Sequence, residues 1–142
     1  MKSILVVDDD NQIQKALTAI LSNAGFTVRS AGSGKEAIAS YQAKPAALVI
    51  LDVYMPDMDG VETLQALHAM DRCVKVVAIS GMGSSLSAVC LKIISKLGAL
   101  AILEKPFTKE ELLQTVWPLL GVEVNPHNGG RHVTAAAPGP GF

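Results

Sequence analysis

Ala47-Leu48-Val49-Ile50-Leu51-Asp52 decides the fold: five apolar residues run unbroken into one acid. A run this short and this continuous suits a strand buried on both faces, as in a parallel sheet covered by helices. Downstream, Val53 to Gly60 carries Pro56 and Gly60 and reads as a loop. Asp59 can cap a helix bearing Val61, Leu64 and Leu67. Upstream, Ser33 and Glu36 make a capping-box pattern for a helix that reaches about Ala43 before Pro45.

The same alternation fills most of the chain. Ile4 to Val7 is a first strand, and Ile13, Ala16, Leu17, Ile20, Leu21 and Ala24 mark a helix stopped by Gly25. Phe26 to Ala31 and Val74 to Ile79 read as further strands. Leu86, Val89, Cys90, Ile93 and Leu97 recur at helical spacing before Gly98, and Leu100 to Leu103 is a fifth strand. Thr108 and Glu111 open a last helix, which Pro118 should end or kink early. Five strands alternating with five helices predict a doubly wound α/β sandwich. Order 2-1-3-4-5 is taken over from that architecture, whose site lies at the carboxyl ends of the strands. After Gly121 the chain turns rich in Gly, Pro and Ala, so residues 1–120 are expected to form one domain and 121–142 a flexible tail.

Composition narrows the function. The chain has 142 residues, 49 % of them apolar, with formal net charge −1, which argues against general disorder and gives no footprint for nucleic acid or a membrane surface. The opening apolar run meets Asp8 too soon for a signal peptide or a spanning helix, so a cytoplasmic location is expected. Cys73 and Cys90 fit no zinc or CxxC spacing and are read as reduced thiols. His68, His127 and His132 are read as surface or tail residues.

Local charge is less even than net charge. Asp8 and Asp9 follow the first strand, Asp52 closes the third, Ser80 follows the fourth and Lys105 the fifth. In the expected topology these side chains converge. Like charges about 4 Å apart repel by roughly 4 kcal/mol at an effective dielectric of 20, so such acids resist sharing a pocket without a proton or a cation. Oxygen ligands with room for phosphate oxygens suit Mg²⁺. A carboxylate is also a competent nucleophile toward phosphorus. Asp10, Asp57 and Asp59 read as cap or loop acids.

Val7-Asp8-Asp9, Leu51-Asp52-Val53-Tyr54-Met55-Pro56-Asp57-Met58-Asp59-Gly60, Ser80-Gly81 and Glu104-Lys105-Pro106-Phe107, in this order, resemble the receiver domain of bacterial two-component response regulators, flavodoxin-like single-domain chemotaxis regulators included. The likeness runs from about Lys2 to Leu120. It implies that Asp52 is the phosphoacceptor, Asp9 a direct metal ligand, Asp8 an acid acting through water, and Tyr54 a backbone-carbonyl ligand. It further implies that Ser80 and Lys105 contact the phosphoryl group and that a cis bond precedes Pro106. The implied cofactor is Mg²⁺. The implied partners are a histidine kinase or phosphotransfer protein and a downstream protein reading the helix 4–strand 5–helix 5 face. No direct nucleic-acid contact or membrane insertion is implied, and a weak homodimer is left open.

One position departs from the pattern. Ile102 stands where the family usually places an aromatic residue, so coupling through a rotating ring is not available in its usual form. Two other readings compete: a receiver-like scaffold not controlled by phosphate, and a phosphohydrolase with an Asp nucleophile. The second would use Asp8 and Asp10 and leave Asp52 without a role.

Overall fold

Strand β3 (Leu48–Asp52) is buried along its whole length, as its unbroken apolar run requires. Around it the computed structural model describes residues 2–53, 60–81 and 88–121, with backbone only at 88–91. The remaining elements are β1 (Ser3–Val7), α1 (Asn11–Asn23), β2 (Thr27–Ala31), α2 (Gly34–Ala43), α3 (Gly60–Met70), β4 (Val76–Ser80), α4 (Ala88–Lys96), β5 (Ala99–Glu104) and α5 (Lys109–Leu119). All strand pairs are parallel and the order is β2-β1-β3-β4-β5. The expected doubly wound sheet is therefore present.

Strand alternation sends successive side chains into two separate cores. Leu5, Val7, Val49 and Leu51 pack on one face with Ala37 and Tyr41 of α2, Leu64 and Leu67 of α3 and Ile94 of α4. Ile4, Val6, Leu48 and Ile50 pack on the other with Leu17 and Leu21 of α1 and Leu112 and Val116 of α5. Each fully buried aliphatic side chain of this kind contributes about 1.5–3 kcal/mol. Among the described residues no helix is long and apolar enough to cross a membrane.

Three local expectations are refined. Ser33 caps α2 by accepting from the Glu36 amide, but the Glu36 carboxylate turns to the Gly32 amide, so only half of the capping box forms. The box is complete at Thr108 and Glu111. Helix α5 is not cut short by Pro118 and runs one residue past it, to Leu119; so near the end, the missing N–H removes little of the ladder. His68, expected at the surface, is half-buried instead. Gly98 stops α4 at φ +114°, where a Cβ would fall 2.1 Å from the His68 Nε2. That nitrogen is buried and has no hydrogen-bond partner among the described residues.

Away from the carboxyl edge of the sheet, the Tyr41 hydroxyl donates to Asp71 Oδ2 at 2.7 Å and ties α2 to the end of α3. Burial, with the carboxylate alongside, pushes the Tyr41 phenol up. The same hydroxyl holds Asp71 below the usual carboxylate range. The expected Asp59 cap, the loop at Met82 and Gly83, Leu86 and the tail from 122 onward lie outside the described residues.

Candidate functional site

Register places the acids. Val7 pairs with Leu51 and Asp52 pairs with Ile79, so the strands deliver Asp8, Asp52 and Ser80 to one edge at nearly one level. Ser80 pairs in turn with Glu104, the residue before Lys105. The Lys105 amide donates to the Ser80 carbonyl at 2.9 Å, so these two residues share a backbone link. The Lys105–Pro106 peptide bond is cis, as the resemblance implied.

Carboxylate oxygens of Asp8, Asp9 and Asp52 all lie within 4.8 Å of one another. Asp8 and Asp52 are buried, at 1 % and 5 % exposure, whereas Asp9 faces solvent. Lys105 Nζ stands 3.3 Å from Asp8 Oδ2 and 3.9 Å from Asp52 Oδ2. Three carboxylates against this one ammonium leave a formal excess of two negative charges. Each pair of such charges repels by about 3 kcal/mol at this range and an effective dielectric of 20. A divalent cation with a preference for hard oxygen donors matches both the charge and the donor set. Receiver domains bind Mg²⁺ at an aspartate cluster of this kind.

The loop carrying the acid pair is held by backbone and side-chain bonds together. The Asp8 amide donates to the Ala31 carbonyl at 3.1 Å, and Asp8 Oδ1 accepts from the Asp10 amide at 2.9 Å. Asp10 caps α1 through the amides of Gln12 and Ile13, which confirms its reading as a cap. Gln14 donates from Nε2 to the carbonyls of Asp8, at 2.5 Å, and Ala31, at 3.2 Å. Sequence reasoning did not single out Gln14, since nothing in its residue type or its place on α1 signals that contact.

Ser80 is buried at the end of β4. Ile102 is half-buried and packs against the core that includes α3 and α4. Tyr54, Asp57 and Asp59 lie outside the described residues. The described residues on either side of them are close: the Gly60 amide donates to the Val53 carbonyl at 3.3 Å.

With fold and acids in place, known proteins supply the family. The family model described as response regulator receiver domain matches residues 4–117, and the chain belongs to that family. It is 36 % identical over 113 residues to the C4-dicarboxylate transport transcriptional regulatory protein DctD of Rhizobium meliloti, covering 80 % of this chain and 24 % of that protein. To the transcriptional regulatory protein GltR of Pseudomonas aeruginosa it is 36 % identical over 84 % of this chain and 49 % of the other. The chain thus spans half or less of those two regulators. It covers 98 % of the response regulator receiver protein CpdR of Brucella abortus, at 32 % identity over 84 % of its own length. Among solved structures, the Vibrio cholerae chemotaxis protein CheY4 superposes with TM-score 0.78 at 30 % identity, over 84 % of this chain and 99 % of that one. A chain of the CheX–CheY–BeF3–Mg²⁺ complex from Borrelia burgdorferi gives TM-score 0.74 at 31 % identity, over 82 % of this chain and 87 % of that one.

Proposed function

We propose that this chain is a phosphorylation-controlled signalling switch in which Asp52 accepts a phosphoryl group from a histidine kinase. The observation that carries the reading is the convergence of Asp8, Asp9 and Asp52 at the carboxyl edge of the sheet, with Lys105 beside Asp8 and Asp52. An Asp52 oxygen attacks phosphorus, the bond from phosphorus to the donor's imidazole nitrogen breaks, and the imidazole leaves with its electron pair and takes up a proton. Asp8, Asp9, Asp52 and the Tyr54 carbonyl would hold Mg²⁺, which when bound neutralises charge on the phosphoryl oxygens. Lys105 supplies a movable positive charge and Ser80 a hydroxyl donor for the same oxygens. The switch would comprise residues 1–120, with 121–142 outside it.

The likeness to the chemotaxis protein CheY4 supports the reading, as does the likeness to a chain of the CheX–CheY–BeF3–Mg²⁺ complex. Output would use the α4–β5–α5 face, where Ile93 of α4 and Leu100 of β5 are exposed at 45 % and 52 %. A phosphohydrolase built on Asp8 and Asp10 is disfavoured, because Asp10 is committed to capping α1.

The test is incubation with acetyl phosphate and Mg²⁺. Intact mass should rise by one phosphoryl group, and EDTA should prevent it. Asp9→Asn should weaken Mg²⁺ binding, followed by amide NMR shifts, by about tenfold or more. Unchanged binding in that variant would show that the metal lies elsewhere, and labelling on histidine or serine would refute the phosphoacceptor assignment.

Switching should run through Ser80 rather than through residue 102. Ile102 is β-branched, with few rotamers to exchange. A phosphoryl group shifts a two-state equilibrium only through contacts that differ between the states, and the Ser80 hydroxyl and Lys105 provide them. Beryllofluoride, a phosphoryl mimic, should therefore shift the amides of residues 88–97 in the parent chain and in Ile102→Val, and much less in Ser80→Ala. The reverse pattern would eliminate this route.

A further inference from the structure

Asp9 is exposed, so its position depends on the backbone that carries it. The peptide group joining Asp8 to Asp9 is the last rigid unit before the Asp9 Cα. Its oxygen accepts from Gln14 Nε2. The same amide nitrogen reaches the Ala31 carbonyl, which also accepts from the Asp8 amide. Both partners of Gln14 are carbonyl oxygens, which only accept, so the NH2 end of the side chain must face them and its two protons match two acceptors. One half-buried side chain on α1 thus clamps the end of β1 to the end of β2 at the point where the acid pair leaves the sheet.

We propose that Gln14 is a positioning residue for the Asp8–Asp9 pair, holding their shared peptide plane so that both carboxylates meet Asp52 at a divalent cation. The inference rests on the site reading given above. Mg²⁺ demands near-ideal octahedral geometry, so a freely turning Asp8–Asp9 peptide would present the Asp9 carboxylate correctly only part of the time. Gln14 itself touches neither the cation nor the phosphoryl group. Asp10 reinforces the arrangement, because its amide donates to Asp8 Oδ1 while its own carboxylate caps α1.

The decisive experiment uses the full chain and four variants: Gln14→Met and Gln14→Leu, which remove the donors, Gln14→Arg, which restores donors on a longer arm, and Asp9→Asn as the ligand control. Mg²⁺ is titrated alone and followed by amide NMR shifts, with melting temperature recorded for each protein. Gln14→Met should weaken Mg²⁺ binding by about tenfold, in the range of partners that orient ligands, and Gln14→Leu should do the same. Labelling by acetyl phosphate should slow at low Mg²⁺ and return to the parent rate at saturating Mg²⁺. Gln14→Arg should bind within about threefold of the parent, a recovery that loss of helix packing alone would not give. Mg²⁺ affinity in Gln14→Met within about twofold of the parent, with Asp9→Asn impaired, overturns the inference and leaves the site reading standing. Equal impairment of Gln14→Arg and Gln14→Met also overturns it. Failure of the parent chain to bind Mg²⁺ removes both readings together.

Discussion

Asp52→Asn should take up no phosphoryl group from acetyl phosphate at any Mg²⁺ concentration, while remaining at least as stable as the parent chain. The first half follows from chemistry, since an amide oxygen is far too weak a nucleophile to form the acyl phosphate. The second half follows from the geometry. Asp52 is buried, with carboxylate neighbours inside 4.8 Å, and Lys105 lies nearer to Asp8 than to Asp52. Deleting one charge relieves like-charge repulsion of about 3 kcal/mol per pair at an effective dielectric of 20, against the loss of the longer Lys105 contact. Intact-mass labelling and thermal melts without metal measure the two halves. Residual labelling at parent level would place the phosphoacceptor elsewhere. A folded but unlabelled variant would separate chemistry from folding, which loss of labelling alone cannot do.

Gly60→Ala should be the most damaging single methyl in the described part of the site. A Cβ built at Gly60 falls 2.1 Å from Val53 Cα and 2.8 Å from the Asp52 carbonyl oxygen. Those neighbours are backbone and cannot rotate away, so the junction between β3 and α3 must open. Overpacking of this kind costs about 3 kcal/mol, which lowers the melting temperature by roughly 10 °C for a domain of this size. Labelling of Asp52 should slow too, because the displaced atoms adjoin its own peptide group. Gly32→Ala is the matched control. Its added Cβ meets only side-chain atoms of Gln14 and Glu36 at 3.6 Å, an ordinary contact, and its effect should stay within about 0.5 kcal/mol. Equal melting temperatures for the two variants would contradict the close approach at Gly60.

The sheet was legible because its strands are buried on both faces and therefore written as continuous apolar runs. The run at Leu48 to Leu51 located β3 to within a residue. Strand ends were also legible at the site, since acids, a serine and a lysine interrupt those runs where the sheet meets water. Contacts made by backbone were not. The close approach of Gly60 to Val53 depends on how a helix returns over a strand, and the Gln14 clamp depends on two carbonyls that carry no residue-type signal. His68 misled for a related reason. A histidine late in a helix looks solvated until the absent side chain of Gly98, remote in sequence, leaves room for its ring.

The uneven burial of the sheet bears on how a signal could leave it. β3 is buried at every position, held by a strand on each side and a core on each face. β5 is an edge strand with Leu100 and Glu104 facing solvent. Local opening is rarest where apolar contacts are densest, so the phosphorylation proposed for Asp52 would add charge at the end of a strand buried at every position. On the reading proposed above, Asp52 would act as a fixed anchor, and a new phosphoryl group would be accommodated by displacement of its surroundings. The open side is the β5 edge, beside which the Ser80 carbonyl and the Lys105 amide are joined by a hydrogen bond. A pull on either residue would therefore be handed to the other, toward the edge of the sheet and away from its enclosed centre.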